Sequence, residues 1–334
     1  MSSNLTAIID ADGILYKCAS SGEKRTIVAT HKNTKEQWAA DNRTAFWGTK
    51  ALKNEGMLAE INKGRDSPFM WDEFEIEDLQ EAPPINNILH TTKITFNKWL
   101  ETLGTKKYQA YVSGSTNFRV ERSTLLEYKG QRKFLVKPIH LEATKTYLME
   151  RFKCERVEGI EPDDVCVIEA YRQPNKVIMT YDKDAWGVPC NVLSMTKPEE
   201  GVLNCNQFGK LWLDSEGKVR GIGRMFLYFQ VASGDLADNY KANCFSDVRW
   251  AEKSAYNALV GAVDDKDALT RLVGVYKTLY PEPKKVIGWR GNEIEIDWLY
   301  VLSENFTMAR MLKFRNESEV ILTDVFKRLG VDYE

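Results

Sequence analysis

The stretch from Gly159 to Trp186, G-I-E-P-D-D-V-C-V-I-E-A-Y-R-Q-P-N-K-V-I-M-T-Y-D-K-D-A-W, constrains this chain more than any other. Glu161, Asp163 and Asp164 open a predicted helix, and Asp182 and Asp184 follow directly on the apolar run Val177 to Met179, a predicted buried strand. Helix starts favour acids for dipole reasons alone, and D-x-D after a strand also opens ordinary loops. Separated by one helix and one strand, the two clusters instead converge on the carboxyl edge of a parallel sheet, where such sheets bind ligands. Five carboxylates gathered there repel one another unless a multivalent cation lies among them. A hard ion that seeks oxygen ligands, magnesium, suits the set.

Around this stretch the chain reads as an α/β protein with a mostly parallel central sheet. Leu5 to Ile9 is a short apolar run ending in Asp10-Ala11-Asp12-Gly13, a first strand that delivers Asp10 to the same edge, with a helix from Ile14 to about Ser20. Residues 22 to 84 form an insertion in which Thr26 to Trp38 predicts a β-hairpin. Its aromatic residues Trp38, Trp47, Phe69, Trp71 and Phe74 either stack on bases or pack the insertion itself. Ile85, Ile88, Leu89, Thr92, Phe96, Trp99, Leu100 and Leu103 make one helical stripe closed by Gly104. Tyr108 to Val112 is the second strand of the sheet, Ile139 to Lys153 a helix, and Cys190 to Met195 another strand. Gly201 to Gly221 predicts a hairpin turning at Asp214 to Gly217, and Gly223 to Ala232 an apolar helix. Asp235 and Asp238, three apart in G-D-L-A-D-N, share a face if that segment is a helical turn. Ser246 to Gly261 and most of the remainder read as helical.

The length of 334 residues suggests two domains, 1–232 and 233–334. Net charge is only −2, but it is unevenly spread: from Asn117 to Arg156 ten Lys or Arg stand against five Glu. A basic segment just before an acidic pocket is how an enzyme acting on phosphodiesters would be wired, although a solvated basic helix face gives the same count. Lys129, Arg132 and Lys133 have the density expected of phosphate contacts. The six cysteines include no C-x-x-C and the three histidines lie far apart, so zinc spacing is absent and buried reduced thiols are expected. No apolar run is long enough to span a bilayer and M-S-S-N is not a signal peptide, so a cytoplasmic protein is expected.

In order along the chain, I-I-D-A-D-G at 8–13, N-F-R at 117–119, Y-K-G-Q-R at 128–132, E-P-D-D at 161–164, Y-D-K-D at 181–184 and G-D-L-A-D-N at 234–239 resemble the flap endonuclease and 5′→3′ exonuclease family, particularly its bacteriophage branch. The resemblance implies a PIN-like nuclease core with two divalent ions, magnesium with manganese able to substitute. It assigns Asp10, Glu161 and Asp163 mainly to one ion and Asp182, Asp184 and Asp235 mainly to the other, with Asp164 and Asp238 acting through water. Lys129 would touch the scissile phosphate, assisted by Arg132. Residues 113 to 137 would correspond to the arch past which a single-stranded 5′ end travels, with Arg119 and Lys133 touching DNA and Tyr128 either stacking on a base or packing in place. The implied reaction is removal of nucleotides from 5′ ends of duplex DNA and of RNA primers annealed to DNA, in phage replication or recombination beside replication proteins and in the host cytoplasm.

Two departures matter. Where the family places an Asp after the second strand, this chain has Ser113-Gly114-Ser115, and Asp12 is the expected substitute. After Asp238 the glycines of the family's helix-turn-helix are missing, leaving Lys253-Ser254-Ala255 as the expected duplex contact. Alternative readings are a structure-specific flap endonuclease, a PIN-type ribonuclease, and a DNA-binding homologue without catalysis. Turnover on duplex DNA, duplex RNA and a primer hybrid separates them.

Overall fold

The computed structural model of the chain describes residues 4–49, 55–319 and 321–333. The fold divides into two compact units, one formed by 1–15, 93–136 and 145–334, the other by 16–92 and 137–144.

In chain order, β1 (Thr6–Asp10) is followed at once by α1 (Asp12–Ala19), so Asp12 is a first-turn residue. The insertion then makes the second unit's own antiparallel sheet from β2 (Lys24–His31), β3 (Gln37–Ala40) and β4 (Phe74–Glu81), in the order β3-β2-β4. The expected hairpin is β2–β3; β4 pairs along the other edge of β2, His31 opposite Phe74. Two short helices, α2 (Arg43–Trp47) and α3 (Gly56–Asn62), close the insertion. Phe46, Phe69 and Phe74 pack with Trp38, Trp47 and the buried ring of His31, ring centroids 4.0 to 6.1 Å apart. Packing therefore claims four of the five aromatic residues singled out, and only Trp71, 70% exposed, stands apart.

The first unit is built on α4 (Ile85–Leu103) from Lys93 onward, β5 (Tyr108–Ser113), α5 (Phe118–Arg122), α6 (Leu141–Phe152) from Lys145 onward, β6 (Glu155–Val157), α7 (Pro162–Ala170), β7 (Lys176–Thr180), β8 (Asn191–Ser194) and β9 (Val202–Asn204). The sheet order is β6-β5-β1-β7-β8-β9, parallel throughout except for β9. Strand alternation sends Ile8, Tyr111, Ile178 and Val192 to one face, where Val165, Cys166 and Val167 of α7 cover them. Tyr108, on the other face of β5, meets Phe96 of α4, and Phe96 stacks on Phe152 of α6 at 4.1 Å. With helices on both faces the strands read as continuous apolar runs, as buried parallel strands do. The fold is α/β with a mostly parallel central sheet flanked by helices.

The remainder comprises a ribbon of β10 (Lys210–Leu213) and β11 (Val219–Ile222), then α8 (Arg224–Ser233), α9 (Glu252–Leu259), α10 (Asp265–Leu279), a second ribbon of β12 (Lys284–Ile287) and β13 (Glu293–Ile296), α11 (Trp298–Ala309) and α12 (Leu322–Leu329). The expected hairpin over 201–221 is thus β10–β11 alone, since 202–204 joins the main sheet as its antiparallel edge. The helix expected from Ser246 begins only at Glu252, because Ser246 Oγ and Trp250 Nε1 donate to Leu279 O and Ala232 O, which holds the intervening backbone in a turn. Phe226, Phe229 and Val231 of α8 share one core with Leu272, Tyr276, Leu302 and Phe326, so residues after 232 are continuous with α8 in packing. No helix among the described residues is long and apolar enough to cross a membrane.

Candidate metal centre

Three strand ends are stitched together by two carboxylates. Asp10, the last residue of β1, accepts from Thr180 Oγ1 at the end of β7 (3.2 Å) and from the Asp12 N–H (3.1 Å). Asp12 Oδ1 in turn accepts from the backbone N–H of Ser113 at the end of β5 (3.0 Å). The chain leaves β1 for β5 and β6 on one side and returns to β7 and β8 on the other, so Asp10 stands at the topological switch point of the sheet.

Glu161, Asp163 and Asp164 open α7, with Pro162 in the first turn, where its missing N–H costs nothing. One oxygen from each carboxylate lies within 4.8 Å of the others, a spacing that a single ion can bridge. Asp164 is fully buried and held by Arg119 through two bonds of 2.6 and 2.9 Å; it also accepts from the backbone N–H of Leu312 and of Glu161. Arg119 additionally reaches Glu161 at 3.1 Å and the carbonyls of Met308 and Arg310. Close approach of β5 to β6 is permitted by Gly114, where a Cβ would sit 2.2 Å from Val157 O. That approach lets Glu158 accept from Ser115 and Thr116, backbone and hydroxyl alike.

Asp182 caps the single turn Lys183–Gly187, its Oδ1 accepting the Asp184 N–H at 2.8 Å. Asp235 and Asp238 do not lie on a helical turn. Gly234, at φ 78°, ends α8, and an antiparallel bridge between Asp235 and Tyr240 closes a loop in which Asp235 Oδ1 accepts the N–H groups of Ala237 and Asp238. A second loop is tied to this one: Lys129 N donates to Asp238 O (3.0 Å), Gln131 Nε2 to Ala237 O (3.0 Å) and Asn239 Nδ2 to Glu127 O (2.9 Å). Lys129 and Asn239 both adopt left-handed backbone, φ 54° and 60°, to make the fit. Lys129 Nζ then pairs with Glu161 and lies 3.6 Å from Asp238, Arg132 bonds Asp238 at 3.1 Å, and the Tyr128 hydroxyl lies 2.8 Å from a carboxylate oxygen of both Glu161 and Asp238, its one proton shared between them.

The electrostatics record how crowded these acids are. Burial, with Asp12 and Asp182 adding repulsion, raises Asp10 to about 7. Burial also raises Asp12, Asp163, Asp184 and Asp238; Glu161 adds to the shift at Asp163, and Asp182 to that at Asp184. At Glu161 burial pulls upward too, but Lys129 and Arg119 outweigh it and hold this carboxyl at about 2. Lys129 is pushed up despite burial, by Glu161 and Asp238. Asp184 Oδ1 is buried without a hydrogen-bond partner.

All nine predicted acidic residues, Asp10, Asp12, Glu161, Asp163, Asp164, Asp182, Asp184, Asp235 and Asp238, thus fall in one electrostatically linked group, with Lys129 and Arg132 against it. Arg119 and Tyr128, expected to touch DNA, are 2% and 4% exposed and brace the acids from within. Residues 113–137 hold only the short α5 and one turn at Gly130–Phe134, tied down as described. Lys133 pairs with Glu127, and Lys253 stands exposed in the first turn of α9. Thr180 and Glu158 join the site without a motif to mark them; the hydroxyl closing the apolar run before Asp182 is the available sequence signal for Thr180.

No protein-family model matches the chain, and no curated protein sequence matches it. Among solved structures the chain is similar to the crystal structure of the T5 D15 protein co-crystallized with metal ions, at 14% identity and a TM-score of 0.43, over 72% of this chain and 90% of that one. The fold class stated above rests on the strand order and connections of this chain itself.

Proposed function

We propose that this chain is a metal-dependent 5′→3′ exonuclease that hydrolyses phosphodiester bonds from the 5′ ends of duplex DNA, and RNA primers annealed to DNA. The observation that supports the reading is that Glu161, Asp163 and Asp164 are spaced for one ion and are linked electrostatically to Asp10, Asp12, Asp182, Asp184, Asp235 and Asp238, with Lys129 and Arg132 beside them. A hard divalent cation fits the donor set: every donor is a carboxylate oxygen, Asp184 Oδ1 lacks a partner, and burial leaves Asp10 and Asp163 short of positive charge. Asp10, Glu161 and Asp163 would hold one magnesium or manganese ion, and Asp182, Asp184 and Asp235 the other. Bound there, two such ions supply a hydroxide nucleophile at neutral pH and stabilise charge on the attacked phosphate and leaving oxygen.

The chain's own residues do the rest. Asp12 serves where the family's second-strand Asp is missing; its Oδ1 already takes the Ser113 N–H at that strand's end. Asp164, saturated by Arg119, orients Glu161. Lys129 and Arg132, paired with acids in this structure, turn to the scissile phosphate, and Lys133 and Lys253 hold the backbone.

The test is digestion of 5′-labelled and 3′-labelled duplex in parallel, with magnesium and with EDTA, beside Asp182→Ala. Immediate release of small products from the 5′ label alone, lost with EDTA or the substitution, is expected. Longer 5′ fragments from a flap substrate only would make the enzyme a structure-specific endonuclease, and no cleavage of any substrate would refute the reading.

A further inference from the structure

Asp184 is also a wall residue of a cavity of about 480 Å³ among the ends of α7, α8, α11 and α12. That volume falls within the roughly 300–1,000 Å³ of small-molecule sites. Tyr171, Leu227, Phe306 and Phe314 provide apolar surface, and Tyr171 and Phe314 meet edge to face at 5.3 Å. Gln230 and Arg310 line the same cavity at 5% exposure each, yet neither Gln230 Nε2 nor Arg310 Nε has a hydrogen-bond partner. Buried donors left unpaired are costly, and these two belong to residues in the wall of one roomy cavity, where a side-chain rotation brings each donor to a ligand's acceptor. Burial holds the Arg310 guanidinium below its ordinary range, and Glu317 only partly restores it. Arg172 and Arg328 add exposed cationic side chains to the lining, whereas Arg224 and Lys313 are committed to Asp265 and Glu317.

An occupant must therefore be an anion with a flat apolar part and hydrogen-bond acceptors. We propose that the cavity binds a nucleoside 5′-monophosphate, its base against Tyr171 and Phe314 with an edge acceptor toward Gln230, and its phosphate among Arg172, Arg310 and Arg328. Choosing a nucleotide among ring-bearing anions rests on the nuclease reading, of which it would be the product; the cavity and its unpaired donors do not. Because Asp184 belongs both to this wall and to the acidic group, an occupied cavity alters the surroundings of a proposed metal ligand, which is a route to product feedback.

Calorimetric titration of the full chain in EDTA with dAMP, deoxyadenosine and inorganic phosphate tests this without turnover. The expected result is one dAMP site, with phosphate alone and nucleoside alone each at least about tenfold weaker. Gln230→Leu should weaken dAMP about fivefold, the worth of one neutral hydrogen bond, and separately Arg172→Ala with Arg328→Ala should weaken it at least about tenfold, the worth of a charge-assisted bond. The rim pair is exposed and keeps the test sound if the Gln230 variant does not fold. Lys129→Ala with Arg132→Ala should leave the affinity within about twofold, which separates this cavity from the acidic centre. Absence of dAMP binding, indifference to the rim pair, or loss in the Lys129 and Arg132 variant would overturn the site, and phosphate binding as tightly as dAMP would overturn the nucleotide. Binding without any nuclease activity would sink the nuclease reading alone, and nuclease activity without binding this proposal alone.

Discussion

Replacing Arg119 with methionine removes the cation that meets a fully buried Asp164 at 2.6 and 2.9 Å and Glu161 at 3.1 Å. Methionine keeps the stem and its packing but leaves Asp164 with only backbone N–H donors. Breaking a buried ion pair from one side costs about 3–5 kcal/mol, a large share of the roughly 5–15 kcal/mol that holds a domain together. For a unit of this size each kcal/mol moves Tm by about 2–4 °C, so thermal denaturation should show a fall on the order of 10 °C. Replacing both partners, Arg119→Met with Asp164→Leu, should recover much of that loss, because a packed apolar pair is often as stable as the ion pair it replaces. If Arg119→Met left Tm unchanged while lowering the salt dependence of DNA binding, Arg119 would be a phosphate contact after all and the brace described here would be refuted.

Four further outcomes are expected. Asp12→Asn should abolish nuclease turnover almost as fully as Asp10→Asn; near wild-type rates would remove Asp12 from the metal set. Lys129→Ala should lower kcat roughly 10²–10³-fold, as loss of one pre-placed donor to a transition state does, and an unchanged kcat would show that Lys129 only neutralises Glu161. Asp10, raised from 3.8 to about 7 by burial and Asp12, binds a proton in the folded state that the unfolded chain has already released. Its contribution to metal-free stability is therefore lost as pH rises from about 4 to about 7. Tm in EDTA should fall across that window, and magnesium added near pH 6 should release at least one proton, read as a buffer-dependent heat; a heat independent of buffer would contradict it. Lys253→Ala should reduce the slope of log K against log salt for duplex binding by roughly 0.9, and an unaltered slope would exclude that contact.

The acidic edge was legible because each acid follows or precedes a pattern that sequence reveals well: apolar runs before Asp10 and Asp182, a helix start at Glu161, a helix end before Asp235. Once parallel strands are assumed, those positions must meet. Less legible was everything whose partners are distant or whose surface is two-sided. β4, F-E-I-E-D-L-Q-E, is an edge strand paired only with β2, so its charges face water and its apolar alternation is weak. The ribbon of β12 and β13 is held partly by Lys285 with Glu293 and carries too few apolar residues to stand out from helical sequence around it. Burial of Arg119 was unreadable for a plainer reason: arginine is almost always exposed, and only the placement of Asp164 against it, 45 residues away, reverses that expectation. At Asp235 a spacing of three fits both a helical turn and a loop, and the deciding fact is the positive φ of Gly234.

The ties between the 127–132 loop and the 235–239 loop have a mechanical consequence. Backbone and side-chain bonds from Lys129, Gln131 and Asn239 make the two loops one latch, with a cationic half and an acidic half. A strand end pulling on Lys129 and Arg132 would tug Asp238 with them, so the grip on the polymer and the alignment of the acids cannot be set independently.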